Sequence, residues 1–209
     1  MSSGSEFTAE RALLAAGIQH YDHPSFARLE DVPGSLRTVV DVLVAAGFTA
    51  VAADPGYLLD PGREVLRAAV RRAARSAPAV VVYYTGHGAD LPGGTFYLVG
   101  KASRPGELLS DAAVAARELL ELVVVRDEDS EPLASQPAVL VILDCCYSGS
   151  AGMAMVRDAL NGAGNARTWV IATAGSTQYA VAGQFARALK QVLAQPLQDA
   201  RAPVSEWVA

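Results

Sequence analysis

Two runs of strand length are apolar throughout and break off into glycine-rich loops: AVVVYY (residues 79–84) before Thr85-Gly86-His87-Gly88, and AVLVILD (138–144) before Cys145-Cys146-Tyr147-Ser148-Gly149. A strand with one wet face alternates polar and apolar residues, whereas a strand covered on both faces reads as a continuous apolar run. Runs of the second kind therefore demand a largely parallel sheet with helices on either side. ALLAAGI (12–18), FTAVAA (48–53), FYLVG (96–100) and TWVIATA (168–174) have the same length and, mostly, the same character. The six together predict a mostly parallel six-stranded sheet.

Longer stretches with helical spacing lie between these runs and carry recognisable ends. Ser35 is placed to cap LRTVVDVLVAA, which Gly47 would stop, and Asp60-Pro61 puts a cap and a first-turn proline ahead of GREVLRAAVRRAAR. Asp111 would open AAVAARELLELV, and GMAMVRDAL and GQFARALKQVLAQ complete the helical set. The order is β-α-β-α-β-β-α-β-α-β-α, an α/β three-layer sandwich. With 209 residues, one domain over 1–209 is expected, and the uncapped ending PVSEWVA reads as the start of another helix, as in the N-terminal module of a longer protein.

Composition narrows the function. Hydrophobic residues are 51% and charged residues 19%, enough apolar material for a doubly covered sheet. A net charge of −5, with no basic run beyond Arg71-Arg72, lacks the footprint of a nucleic-acid binder. No apolar run reaches membrane-spanning length, and MSSGSEFTAE does not have the layout of a secretory signal, so a cytoplasmic protein without membrane partners is expected. The two cysteines are adjacent, poorly placed to bridge each other, and read as free thiols.

In an open parallel sheet the functional groups collect in loops at the carboxyl ends of strands. His87 and the Cys145-Cys146 pair leave two strands at that edge, so an imidazole and a thiol would meet there despite their sequence separation. A thiolate is an effective nucleophile and a neighbouring imidazole takes its proton, while the flanking glycines let main-chain N–H groups approach a substrate. Taken singly, the histidine reads as a loop residue and either cysteine as a small buried hydrophobe, the preferred reading of Cys145.

YYTGHG followed by LDCCYSG, each behind a buried strand, resembles the caspase and metacaspase superfamily, in particular bacterial caspase-like domains. ALLAAGIQHYDHPSFARLEDVPGSL is similar to that family's opening strand and leader loop, FYLV to its strand after the histidine, and ATAGSTQYAVAGQFARAL to its final strand and helix. The resemblance implies a cysteine endopeptidase acting through an acyl-enzyme. His87 would be the base, Cys146 the nucleophile, the N–H groups of Gly88 and Cys146 the oxyanion hole, and Cys145 a bystander. No cofactor and no metal are implied. A protein or peptide is the implied substrate, and further domains or partners of a signalling or defence system the implied context.

Asp144 falls where metacaspase-like members keep an acid for a basic side chain before the cleaved bond, which would favour Arg or Lys; the alternative is that it only ends the strand and caps an amide. The family's second pocket acid is replaced here by Pro33-Gly34-Ser35-Leu36, leaving Asp22 or Asp31 to substitute for it. Residues 150–157 lack the acid that accompanies calcium activation, and the acidic stretch 126–137 resembles self-cleaved loops but also ordinary solvated chain. His20 and His23 read as structural, and Arg63, Arg67, Arg71 and Arg75 as a solvated helix stripe. The rival function is a latent or inactive module that binds or regulates; a nucleotide-binding domain would want a G-x-G-x-x-G or P-loop that the chain lacks.

Overall fold

The computed structural model describes residues 9–91, 95–105, 112–126, 135–146, 167–174 and 183–194. The expected caps and loops at Asp111, 127–134, 147–149 and 150–157, the expected helix 152–160 and the ending after 194 lie outside them.

Three long apolar strands form the centre. β1 (Arg11–Gly17), β4 (Ala79–Gly86) and β8 (Ala138–Cys145) run parallel in the order β1-β4-β8, with β9 (Thr168–Ala172) parallel to the far side of β8. The short strands β2 (Thr49–Ala50) and β3 (Leu58–Leu59) share the outer edge of β1, one at Ala12–Leu13 and the other at Ala16–Gly17. These six strands make the parallel sheet. Six of the seven β1 residues are buried, as a strand covered on both faces requires.

Alternation divides the sheet between two cores. Leu13, Ala15, Val81, Tyr83 and Ile142 face α1 (Val32–Ala45) and α4 (Gln184–Ala194). Leu14, Val82, Tyr84, Val141, Leu143 and Cys145 face α2 (Arg63–Ser76) and α3 (Ala116–Leu122). Each fully buried Leu contributes about 1.5–3 kcal/mol through lost water contact, so both cores resist a slip of register.

Several expectations need correction. FYLVG is not a strand of the main sheet: β6 (Thr95–Leu98) alternates in burial and pairs antiparallel between β5 (Gly88–Leu91) and β7 (Val114–Ala115). The sixth strand is β3 instead. The stretch expected as one helix from residue 112 spends Val114–Ala115 in β7 before α3 begins. Ser35 lies inside α1, whose N-cap is Asp31, and α2 starts after Gly62, so Asp60 does not cap it. Asp60 has φ 53 and turns its carboxylate elsewhere. Gly47, at φ 90, does follow the end of α1. Among the described residues no helix is long and apolar enough to cross a membrane.

Candidate active site

The ladder between β4 and β8 ends on the pairs Thr85 with Asp144 and Gly86 with Cys145. The next residues on the two strands are His87 and Cys146, so adjacent parallel strands, about 4.8 Å apart, carry them to the same edge. Cys146, in the turn after the strand, lines a cleft with the α1 residues Val32 and Ser35, while Cys145 packs in the α2/α3 core and is 1% exposed. Burial pushes the Cys145 thiol well up, and the nearby Asp144 and Cys146 add to this, leaving it a poor source of thiolate. Cys146 is only half-buried.

A cleft of about 50 Å³ opens on the α1 side of this edge, lined by His87, Cys146, Asp144, Asp31, Ser35 and Gly183 among others. Cys145 also borders it, but its side chain belongs to the opposite core. Gly88 is sterically compelled: a Cβ there would stand 2.5 Å from the Cys146 carbonyl oxygen and strike the Phe96 ring. The main chain at Gly88 thus lies directly against that at Cys146.

The loop after β1 holds the histidine. The carbonyl of Ala27 lies 2.8 Å from His87 Nε2; because a carbonyl only accepts, Nε2 carries the proton, and Nδ1 of the neutral ring is the nitrogen left with a lone pair. The His87 N–H donates to Tyr21 Oη at 2.8 Å. Tyr21 and Phe26 flank the imidazole, with ring centroids 4.7 and 5.8 Å away. The loop is itself clasped by Asp60, whose carboxylate accepts the N–H groups of Gln19 and His20 at 2.6 and 3.0 Å and meets His20 Nδ1 at 2.7 Å. Burial pushes the Asp60 pKa up, but these bonds outweigh it and hold the carboxyl below its usual range. His23 Nδ1 accepts the Ser25 N–H, so both loop histidines serve to shape the chain.

Asp144 is 5% exposed and accepts hydroxyl bonds from Tyr83 and Thr173, each at 2.8 Å. Burial raises its pKa although both hydroxyls lower it. Of the two substitute acids, Asp31 lines the cleft, whereas Asp22 ties its N–H to the Lys101 carbonyl. Of the arginine stripe, Arg71 and Arg75 are exposed, whereas Arg63 bonds Glu118 and Arg67 bonds Glu64, beside a separate groove of about 330 Å³ between α2 and α3 whose lining contains neither cysteine nor histidine.

Sequence reasoning did not find Tyr21, Ala27, Asp60 or Thr173. Ala27 acts through its carbonyl, which leaves no side-chain signature, and Asp60 finds its partners about forty residues away.

The family profile of the caspase domain matches residues 11–199. No curated protein matches significantly. Among solved structures, the crystal structure of caspase-1 from Spodoptera frugiperda is similar at 14% identity and TM-score 0.50, over 69% of this chain and 51% of that one. The structure described as "pro-sf-caspase-1" has 14% identity and TM-score 0.48, over 68% and 48%. The chain spans about half the length of these structures.

Proposed function

The chain belongs to the caspase-domain family of peptidases, and from that premise we propose that it is a cysteine endopeptidase working through His87 and Cys146. The observation that carries the reading is the shared strand edge, where the β4 and β8 ladder delivers both residues into one cleft. In the proposed reaction Nδ1 of His87 takes the Cys146 thiol proton, and the thiolate adds to the scissile carbonyl carbon. The N–H groups of Gly88 and Cys146 receive the resulting oxyanion. Imidazolium returns the proton to the leaving amine as the C–N bond breaks, and water then hydrolyses the thioester.

The cleft also favours a basic residue before the cleaved bond, since Asp144 and Asp31 are both in its lining. The test is to give the full chain fluorogenic peptides ending in Arg, Lys or Asp, alongside Cys146→Ala, Cys145→Ala and His87→Ala. Cleavage after Arg or Lys that persists in Cys145→Ala and vanishes in the other two is expected. Loss in Cys145→Ala with retention in Cys146→Ala overturns the nucleophile assignment, and a preference for Asp overturns the role of the acids.

A further inference from the structure

We propose that Tyr21 is a positioning residue for His87, its hydroxyl fixing the histidine main chain and its ring fixing the imidazole plane. The inference rests on the reading of His87 as the base of Cys146. Two separate contacts support it. The Tyr21 hydroxyl accepts the His87 N–H at 2.8 Å and donates to the Ile18 carbonyl at 3.2 Å, so one phenol ties the ends of β1 and β4 together. The ring stands 4.7 Å from the imidazole centroid at 49°, with Phe26 completing a three-ring cluster 5.7 Å from Tyr21.

The position is built rather than incidental. A Cβ on Gly86 would lie 2.7 Å from the Tyr84 hydroxyl and 3.1 Å from that of Tyr21, so the two phenols converge beneath the residue that precedes the histidine. Tyr84 anchors on the Val99 carbonyl, and the Val99 N–H returns to the His87 carbonyl. Both main-chain polar groups of His87 are thereby held, one by Tyr21 and one by Val99. An imidazole whose backbone and plane are fixed loses little freedom when it takes a proton, and this preorganisation is what a base supplies to catalysis. The titratable side chains acting on Tyr21 are Tyr84, Cys145 and Asp60, its bond to His87 being to the main chain, and those lining the cleft with the histidine are Asp31, Asp144, Cys145 and Cys146, with the Arg187 guanidinium against Gly183.

The experiment measures the rate at which iodoacetamide alkylates Cys146, followed by peptide mapping from pH 5 to 10 in the full chain, so that no substrate is needed. Thiolate displaces iodide, and the pH profile reports how well the histidine supports thiolate. His87→Ala should move the midpoint toward that of a free thiol; an unmoved profile there sinks the dyad, whatever Tyr21 does. Tyr21→Phe keeps the ring and removes the hydroxyl, and it should slow alkylation at pH 6.5 by roughly three- to tenfold, converging with wild type above pH 9.5, a shift of about half to one pH unit. Val70→Ala, in the α2 core, should lower the melting temperature without moving the profile. A Tyr21→Phe profile that superimposes on wild type while His87→Ala shifts overturns the proposal. Should Tyr21→Phe fail to fold, amide exchange in the wild-type chain decides: a protected His87 N–H is expected, and an unprotected one overturns the inference.

Discussion

Replacing Asp144 by Asn separates a substrate-selecting carboxylate from a structural one. The change is isosteric, and the hydroxyls of Tyr83 and Thr173 that now donate to the carboxylate have lone pairs to accept from the new amide, so folding should change by no more than about 1 kcal/mol. Burial raises the Asp144 pKa. The folded state therefore keeps this proton to higher pH than the unfolded chain, and wild-type stability falls as pH rises from the ordinary carboxylate range through the raised value. Asn removes that decline, so at pH 7 the variant should melt at or above the wild-type temperature. Its effect on cleavage runs the other way. A guanidinium about 4 Å from the carboxylate at an effective dielectric of 20 gains about 4 kcal/mol, partly offset by desolvation. A net loss of about 2–4 kcal/mol corresponds to a drop in kcat/KM of roughly 30- to 1,000-fold for a peptide ending in Arg, with little change for a neutral norleucine analogue. Steady-state kinetics on both peptides, with calorimetry from pH 4 to 8, checks both halves. Undiminished Arg cleavage, or a melting temperature that falls in step with activity, refutes the argument.

Cys145→Ala should retain cleavage and cost about 1 kcal/mol, since the buried thiol acts only as a small apolar group; urea denaturation and peptide turnover measure the two effects. Gly88→Ala should destabilise by about 1–3 kcal/mol and depress turnover more than Cys145→Ala, because its Cβ has no room between Phe96 and the Cys146 carbonyl. Asp60→Ala orphans the N–H groups of Gln19 and His20, costing about 1–3 kcal/mol near neutrality. The Asp60 carboxyl is held below its usual range, so its contribution is present above the unfolded value of about 3.9 and is lost as pH falls through the folded one. Urea midpoints between pH 2 and 6 should therefore show a flatter acid limb in the Ala variant.

The parts of the fold that were readable are those fixed by burial on both sides. β1, β4 and β8 announce themselves because no residue in their centres can afford polarity. The same reasoning misplaced FYLVG, since an apolar run does not say which sheet takes it, and the Phe96 and Leu98 side chains are buried from a separate antiparallel ladder. Asp60-Pro61 looked like a helix start because that motif is local, while the bonds that use the carboxylate come from the loop after β1. His87, Cys146 and Asp144 were legible as residues because each closes an apolar run. The shape of their cleft was not, because Ala27 enters through its main chain and Asp31 through the way α1 begins.

The eight-pair ladder between β4 and β8 has one more consequence. Neighbouring strands paired along this length have no hinge between them, so Gly86 and Cys145, the residues from which His87 and Cys146 extend, stay in register whatever the surrounding loops do. Control over the proposed centre would then act on what surrounds the pair: the loop that presents Ala27 and Tyr21, or the cleft lining at Asp31 and Gly183. Activation would then amount to adjusting a rim around a fixed axle.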